Sequence, residues 1–246
     1  MSTPPSLPAL RQIVLLAENL TEALQDTRAF LGLRPGIRDA ASMAELGFEH
    51  EVLAINETFV EIVSPLSGDS SPGRLLAKRG ESGYMVVLQV ADLDAVVARA
   101  AELGLKPVLH EEFEGNPMSQ WHPRDLGTLA EFDQMRVAPW HFCPELSDTG
   151  STEVVADIIA VDIAVADPAG YARRWAALLG VPLADGATRI ALGPRELRFT
   201  TGPGTGLTAV TLATSHPGIA EDQVTICGVT FSIVAPAAPA DTTLDD

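Results

Sequence analysis

Cysteine, positive charge and aromatic rings are all scarce in this 246-residue chain. The two cysteines, Cys143 and Cys227, lie far apart and match no zinc or redox spacing, which excludes a disulfide scaffold and leaves a reducing cytoplasm as the expected location. Sixteen Lys and Arg stand against 33 Asp and Glu, a formal net charge of −17. Nucleic acids and anionic membranes are held by clustered cations, so neither is an expected partner. No uninterrupted apolar run approaches the roughly 18 residues of a membrane span. Residues 1–8 have neither a basic nor an apolar stretch and do not read as a signal peptide. Aromatic residues make up only 5%, so Trp121, Trp140 and Phe142 stand out as candidate walls of a small-molecule pocket or as packing between domains.

What the chain does have is a repeat, together with 46% hydrophobic residues, enough for packed cores in one or two domains. Gln12–Leu20, Met85–Leu93 and Ala160–Pro168 are each an apolar strand running into an acidic turn. Each is followed by a helical stretch that ends at a Leu-Gly pair, at Gly32, Gly104 and Gly180. The offsets from strand start to glycine are 20, 19 and 20 residues. Glycine suits the left-handed position that closes a helix. A fourth copy, Gly206–Thr214, keeps the strand and has almost no helix after it.

Short strands follow each helix: Phe48–Ile55 and Thr58–Val63, then Pro107–Phe113 and Thr128–Asp133 with a loop over Gly115–Gly127 between them, then Thr188–Leu192 and Glu196–Thr200. The unit is strand, helix, and two or three strands, an α+β pattern whose half-exposed sheet must pair with another. Residues 9–143 are expected to form one domain and 152–235 a second, degenerate one. Pro144–Ser151 reads as a linker, and residues 1–8 and 236–246 as disordered termini. Gly202–Gly206 reads as a connection between strands, since no helix start and no Lys-Ser/Thr follows it.

Tandem βαβββ modules of this length resemble the vicinal oxygen chelate superfamily, which includes glyoxalases, bleomycin-resistance proteins, extradiol dioxygenases and, most similar here, methylmalonyl-CoA epimerase-like members. The resemblance rests on His122-Pro-Arg-Asp-Leu-Gly-Thr-Leu-Ala-Glu131 and on Phe59-Val-Glu61-Ile-Val-Ser-Pro65. It implies two domains of curved mixed sheets, with a site in the trough of the first. In metal-using members four ligands come from positions that correspond to Gln12, Glu61, Met85 and Glu131. Both carboxylates are kept, while the two positions usually held by His carry Gln12 and Met85. A thioether is a poor ligand for a hard divalent ion, so no cofactor is expected. If a metal were held, the set would be Gln12, Glu61, Glu131 and His50.

These positions imply metal-independent isomerase- or lyase-type proton transfer on a small carbonyl or acyl metabolite, with Glu61 and Glu131 as acid and base. His122 is expected to assist them from the cavity rim. Gln12 is expected to donate its amide NH₂ to a developing oxyanion, and His50, Tyr84, Met85, Trp121 and Trp140 to line the substrate. The alternatives are a binding protein without chemistry, or a metal-dependent glyoxalase, dioxygenase or epimerase. Either a monomer or a homodimer is compatible with four paired units.

Overall fold

A computed structural model of the protein describes residues 6–136, 153–202, 204–216 and 222–235. The expected linker, Trp140 and Phe142 lie outside the described residues. The first half runs β1 (Ala9–Leu16), α1 (Leu20–Leu31), α2 (Ala40–Glu45), β2 (Phe48–Ile55), β3 (Thr58–Pro65) and α3 (Ser71–Arg79). It continues with β4 (Ser82–Gln89), α4 (Leu93–Glu102), β5 (Leu109–Phe113), β6 (Asn116–Trp121), α5 (Pro123–Leu126) and β7 (Leu129–Asp133). The second half comprises β8 (Val155–Ala164), α6 (Pro168–Leu179), β9 (Arg189–Leu192), β10 (Arg195–Thr200), β11 (Gly206–Thr214), β12 (Asp222–Ile226) and β13 (Val229–Val234).

The repeated helices begin and end for reasons written in the sequence. The side chains of Asn19, Asp92 and Asp167 each accept backbone N–H groups of a first turn. Gly32 and Gly180 close α1 and α6 with φ of 66° and 68°, a conformation that costs other residues steric strain. Paired units share a sheet, as their half-exposed faces demand. The first has the order β2-β3-β1-β4-β7-β6-β5, the second β12-β13-β11-β8-β10-β9. In both, the first strands of the two units lie antiparallel at the centre (β1 with β4, β8 with β11), and each pairs in parallel with the last strand of its own unit.

The expected loop over Gly115–Gly127 is instead β6 and the one-turn helix α5. Apolar periodicity is weak across Asn116–Trp121, and its strand character comes from pairing with β5 and β7 on either side. Edge strand β5 carries the exposed acids Glu111 and Glu112, which discourage pairing with another chain.

One continuous core joins the two halves. Leu10, Ile13, Leu88, Trp121 and Phe132 of the first sheet pack with the helices and with Trp175, Phe199, Val210 and Phe231 of the second half. Trp121, Phe132, Trp175 and Phe199 form a chain of ring contacts across the junction, with centroids 5.6–6.1 Å apart. Side chains of α6 satisfy the last carbonyls of α5: Tyr171 donates to Arg124, Arg174 to Asp125 and Trp175 to Leu126. At the other end of the junction, Gly83 lies so close to β11 that an added Cβ would stand 2.2 Å from the carbonyl oxygen of Leu207. Gly83→Ala should therefore destabilise the protein by about 2 kcal/mol or more, read as a lower midpoint in urea unfolding; an unchanged midpoint would show that the halves part easily.

Candidate active site

Strand alternation gives the first sheet a second face, turned away from that core. Val14, Leu16, Val52, Ala54, Phe59, Val63, Met85 and Val87 make it apolar, and Tyr84, Leu129 and Met135 pack against them. The polar side chains on this face fall in rows set by register. Val52, Glu61, Val14, Met85 and Leu129 form one row; Phe59, Gln12, Val87, Glu131 and Gln120 form the next. A bulge in β1 between Leu10 and Gln12 brings Gln12 into register with Val87 of β4, and its pairing with Phe59 of β3 sets it diagonally beside Glu61. One row further along stand Gln89 and Asp133.

The two glutamates have different surroundings. Glu61 uses both oxygens as acceptors: Gln12 Nε2 donates to Oε2 over 2.8 Å, and His50 Nδ1 lies 2.5 Å from Oε1. His50 Nε2 accepts the backbone N–H of Asp39 at 3.0 Å. That bond requires a lone pair on Nε2, so the proton of a neutral imidazole sits on Nδ1 and points at Glu61. His50 therefore holds Glu61 in place and has no free nitrogen to offer a substrate. Glu131 has one donor, Gln120 Nε2 at 2.7 Å. Burial lifts its carboxyl to about 7, opposed by Gln120 and reinforced by the charge of Glu61. Burial also raises the Tyr84 phenol, with Glu61 and Glu131 adding to it, so Tyr84 is a neutral donor that both glutamates sense. Gln12, His50, Glu61, Met85 and Glu131 are each only 7–8% exposed, so this trough is nearly closed to water. An open cleft of about 560 Å³ lies elsewhere, among Glu18, Asn19, Leu20, Glu22, Glu49 and Glu81.

Four of the expected site residues have surroundings that the sequence did not reveal. His122 is exposed, and its Nδ1 caps α5 by accepting the N–H of Arg124. With α5 clamped by α6, His122 stands on the surface as a helix cap. Trp121 is fully buried on the core face, with Nε1 donating to Ser119 Oγ, so it does not line the trough. One N–H of the Gln12 amide is spent on Glu61, which leaves the other for a substrate oxygen. Both ring nitrogens of His50 are engaged, one by Glu61 and one by the backbone of Asp39. Two trough residues went unrecognised, Gln120 and Asp133. Asp133 was within reach, because alternation from Glu131 places it on the same face; Gln120 was not, because its strand was read as loop.

The donor set does not fit a divalent metal at the family position. Glu61 already receives two N–H donors where an ion would have to sit, Gln12 turns nitrogen toward it, and Met85 contributes sulfur. Among the described residues no three His, Cys, Asp or Glu side chains are grouped to hold an ion. The second half repeats the scaffold without the carboxylate pair. There Asp162 pairs with Arg198 in register as Val14 does with Glu61, and Thr211 with Ser232 as Val87 does with Glu131.

Comparison with known proteins gives a family and a fold. The family profile described as a glyoxalase-like domain matches residues 13–179. No curated protein matches the chain at a significant level. A solved structure of a hypothetical protein from Staphylococcus aureus is 12% identical over 94% of this chain and 100% of its own, with a TM-score of 0.68, and shares the whole fold. Methylmalonyl-CoA epimerase from Streptomyces coelicolor, a variant in complex with 2-nitronate-propionyl-CoA, is 24% identical over 54% of this chain and 100% of its own, TM-score 0.47. The epimerase from Mycobacterium tuberculosis is 23% identical over 56% of this chain and 94% of its own, also 0.47.

Proposed function

Because the chain belongs to the glyoxalase-like domain family of the vicinal oxygen chelate superfamily, we propose that the trough of its first half carries out metal-independent proton transfer on a small carbonyl or acyl compound. The observation that carries this reading is the contrast between two buried carboxyl groups on one sheet face. Glu61 is held by donors at both oxygens and serves as the base. Glu131, which keeps its proton to about pH 7, serves as the acid. Removal of a proton beside a carbonyl by Glu61 and its return from Glu131 at another position amounts to isomerisation; loss of a leaving group in place of the return amounts to a lyase step. Tyr84, a neutral phenol on which both glutamates act, joins the free N–H of Gln12 as donor to the developing oxyanion. His50 is a positioning residue that acts through Glu61, which Gln12 also holds.

The reading is tested by incubating the protein with a panel of small carbonyl compounds in D₂O and following their α-protons by NMR. Catalysed wash-in of deuterium is the expected result. Binding without exchange or turnover across the panel would remove the enzymatic reading and leave the ligand-binding one, which the apolar lining of the trough favours.

A further inference from the structure

The trough contains carboxyl groups and no cation to offset them. All 16 Lys and Arg of the chain lie among the described residues. The charges that act on Glu131, Asp133 and Tyr84 are those of neighbouring carboxylates, with no Lys or Arg contributing. Arg11, at the far end of the row, is engaged by Gln89 and Glu57. A substrate carboxylate or phosphate brought into this closed space would lose its hydration, find no Lys or Arg to replace it, and face the charge of Glu61.

Asp133 adds a positive requirement to this exclusion. It is 0% exposed, and neither carboxyl oxygen has a hydrogen-bond partner among the described residues. Buried polar groups are nearly always paired, and this one stands two residues from Glu131 on the same face of β7. Burial, reinforced by Glu131, holds its proton on well above the ordinary range. A carboxylic acid kept neutral has an O–H to donate and, among the described residues, nothing to receive it.

We infer that the trough takes a ligand whose buried part is uncharged, a ketone, ester, amide or similar carbonyl compound, and that Asp133 hydrogen-bonds to its oxygen. The inference rests on the trough being the ligand site and narrows the substrate class of the proton-transfer reading. A cationic ammonium or guanidinium offers only donors and leaves the O–H of Asp133 without an acceptor, whereas a carbonyl oxygen supplies one.

The test uses the full chain and two probes of equal shape, acetoacetamide and acetoacetate, with dissociation constants from saturation-transfer NMR at neutral pH. Acetoacetamide should bind in the millimolar range, at least about tenfold more tightly than acetoacetate. Asp133→Leu should weaken the amide about tenfold, the weight of one buried hydrogen bond, whereas Asp133→Asn, which still donates, should stay within about threefold of the native protein. Equal or tighter binding of acetoacetate, or failure of both probes to bind, overturns the inference. Unchanged affinity in Asp133→Leu overturns the role of Asp133 even if the charge selectivity holds. Binding is read without turnover, so the two ideas fail separately. Absent deuterium exchange with intact selectivity sinks only the proton transfer; exchange together with a preference for acetoacetate sinks only the neutral-ligand inference.

Discussion

Glu61→Gln should lower catalysed proton exchange by at least about a hundredfold, the low end of what a positioned general base contributes. The substitution keeps shape and burial. Glutamine at this position still accepts from His50 Nδ1, and Gln12 needs only to turn its amide over, presenting oxygen where it now presents nitrogen. Loss of activity with an unchanged unfolding midpoint would thus be a loss of chemistry. The pH profile gives a second readout. If Glu131 is the acid, the rate of the native protein should fall about tenfold per pH unit above about 7, as Glu131 gives up its proton. His50→Ala should lower kcat more than it changes KM, since His50 orients Glu61 and has no nitrogen free for the substrate. Full exchange activity in Glu61→Gln would end the assignment of Glu61, whatever the fate of the fold.

Glu131→Gln should make the protein more stable, and only at neutral and alkaline pH. Raising a carboxyl from its ordinary 4.5 to about 7 corresponds to a penalty of about 3 kcal/mol on its charged form. Between those two values the folded chain keeps the proton and the unfolded chain releases it. Stability on account of Glu131 is therefore full below about pH 4.5, declines as the pH rises, and reaches its lower plateau above about 7. Glutamine has no charged form and retains an oxygen for the Gln120 NH₂. The variant and native melting curves should coincide near pH 4.5 and separate by about 5–10 °C near pH 8, the variant higher. Parallel curves across that range would mean that Glu131 is solvated in the folded protein, which would also remove its role as the acid. Paired with loss of exchange, the gain would be an ordinary trade of stability for activity.

The fold was legible because its determinants are local. Strand, cap, helix and closing glycine recur at a spacing that survives as Asn19, Asp92 and Asp167 at helix starts and as Gly32 and Gly180 at two ends. The site was legible in part. Placing Glu61 and Glu131 on one face follows from alternation once their strands are known, and Gln12, Tyr84 and Met85 come with them. What failed was judging which side of a strand a neighbouring loop would serve. His122 and Trp121 are adjacent to the trough in sequence, but α5 docks on α6, carrying His122 to the surface while Trp121 packs into the shared core.

By itself the sequence determined the modular strand–helix pattern, the pairing of units, and the retention of two acids where imidazoles are customary, because each follows from nearest-neighbour backbone chemistry and side-chain periodicity. Only the tertiary structure decided what those acids are. Glu61 is an anchored acceptor because β2 brings a histidine, itself pinned by a backbone N–H, against it across the sheet. Glu131 holds a proton and Asp133 lacks a partner among the described residues because strands far apart in sequence bury them beside other carboxyl groups, with no Lys or Arg paired to either. Proton affinity depends on solvation and on charges a few ångströms away, and those distances exist only once the chain has folded.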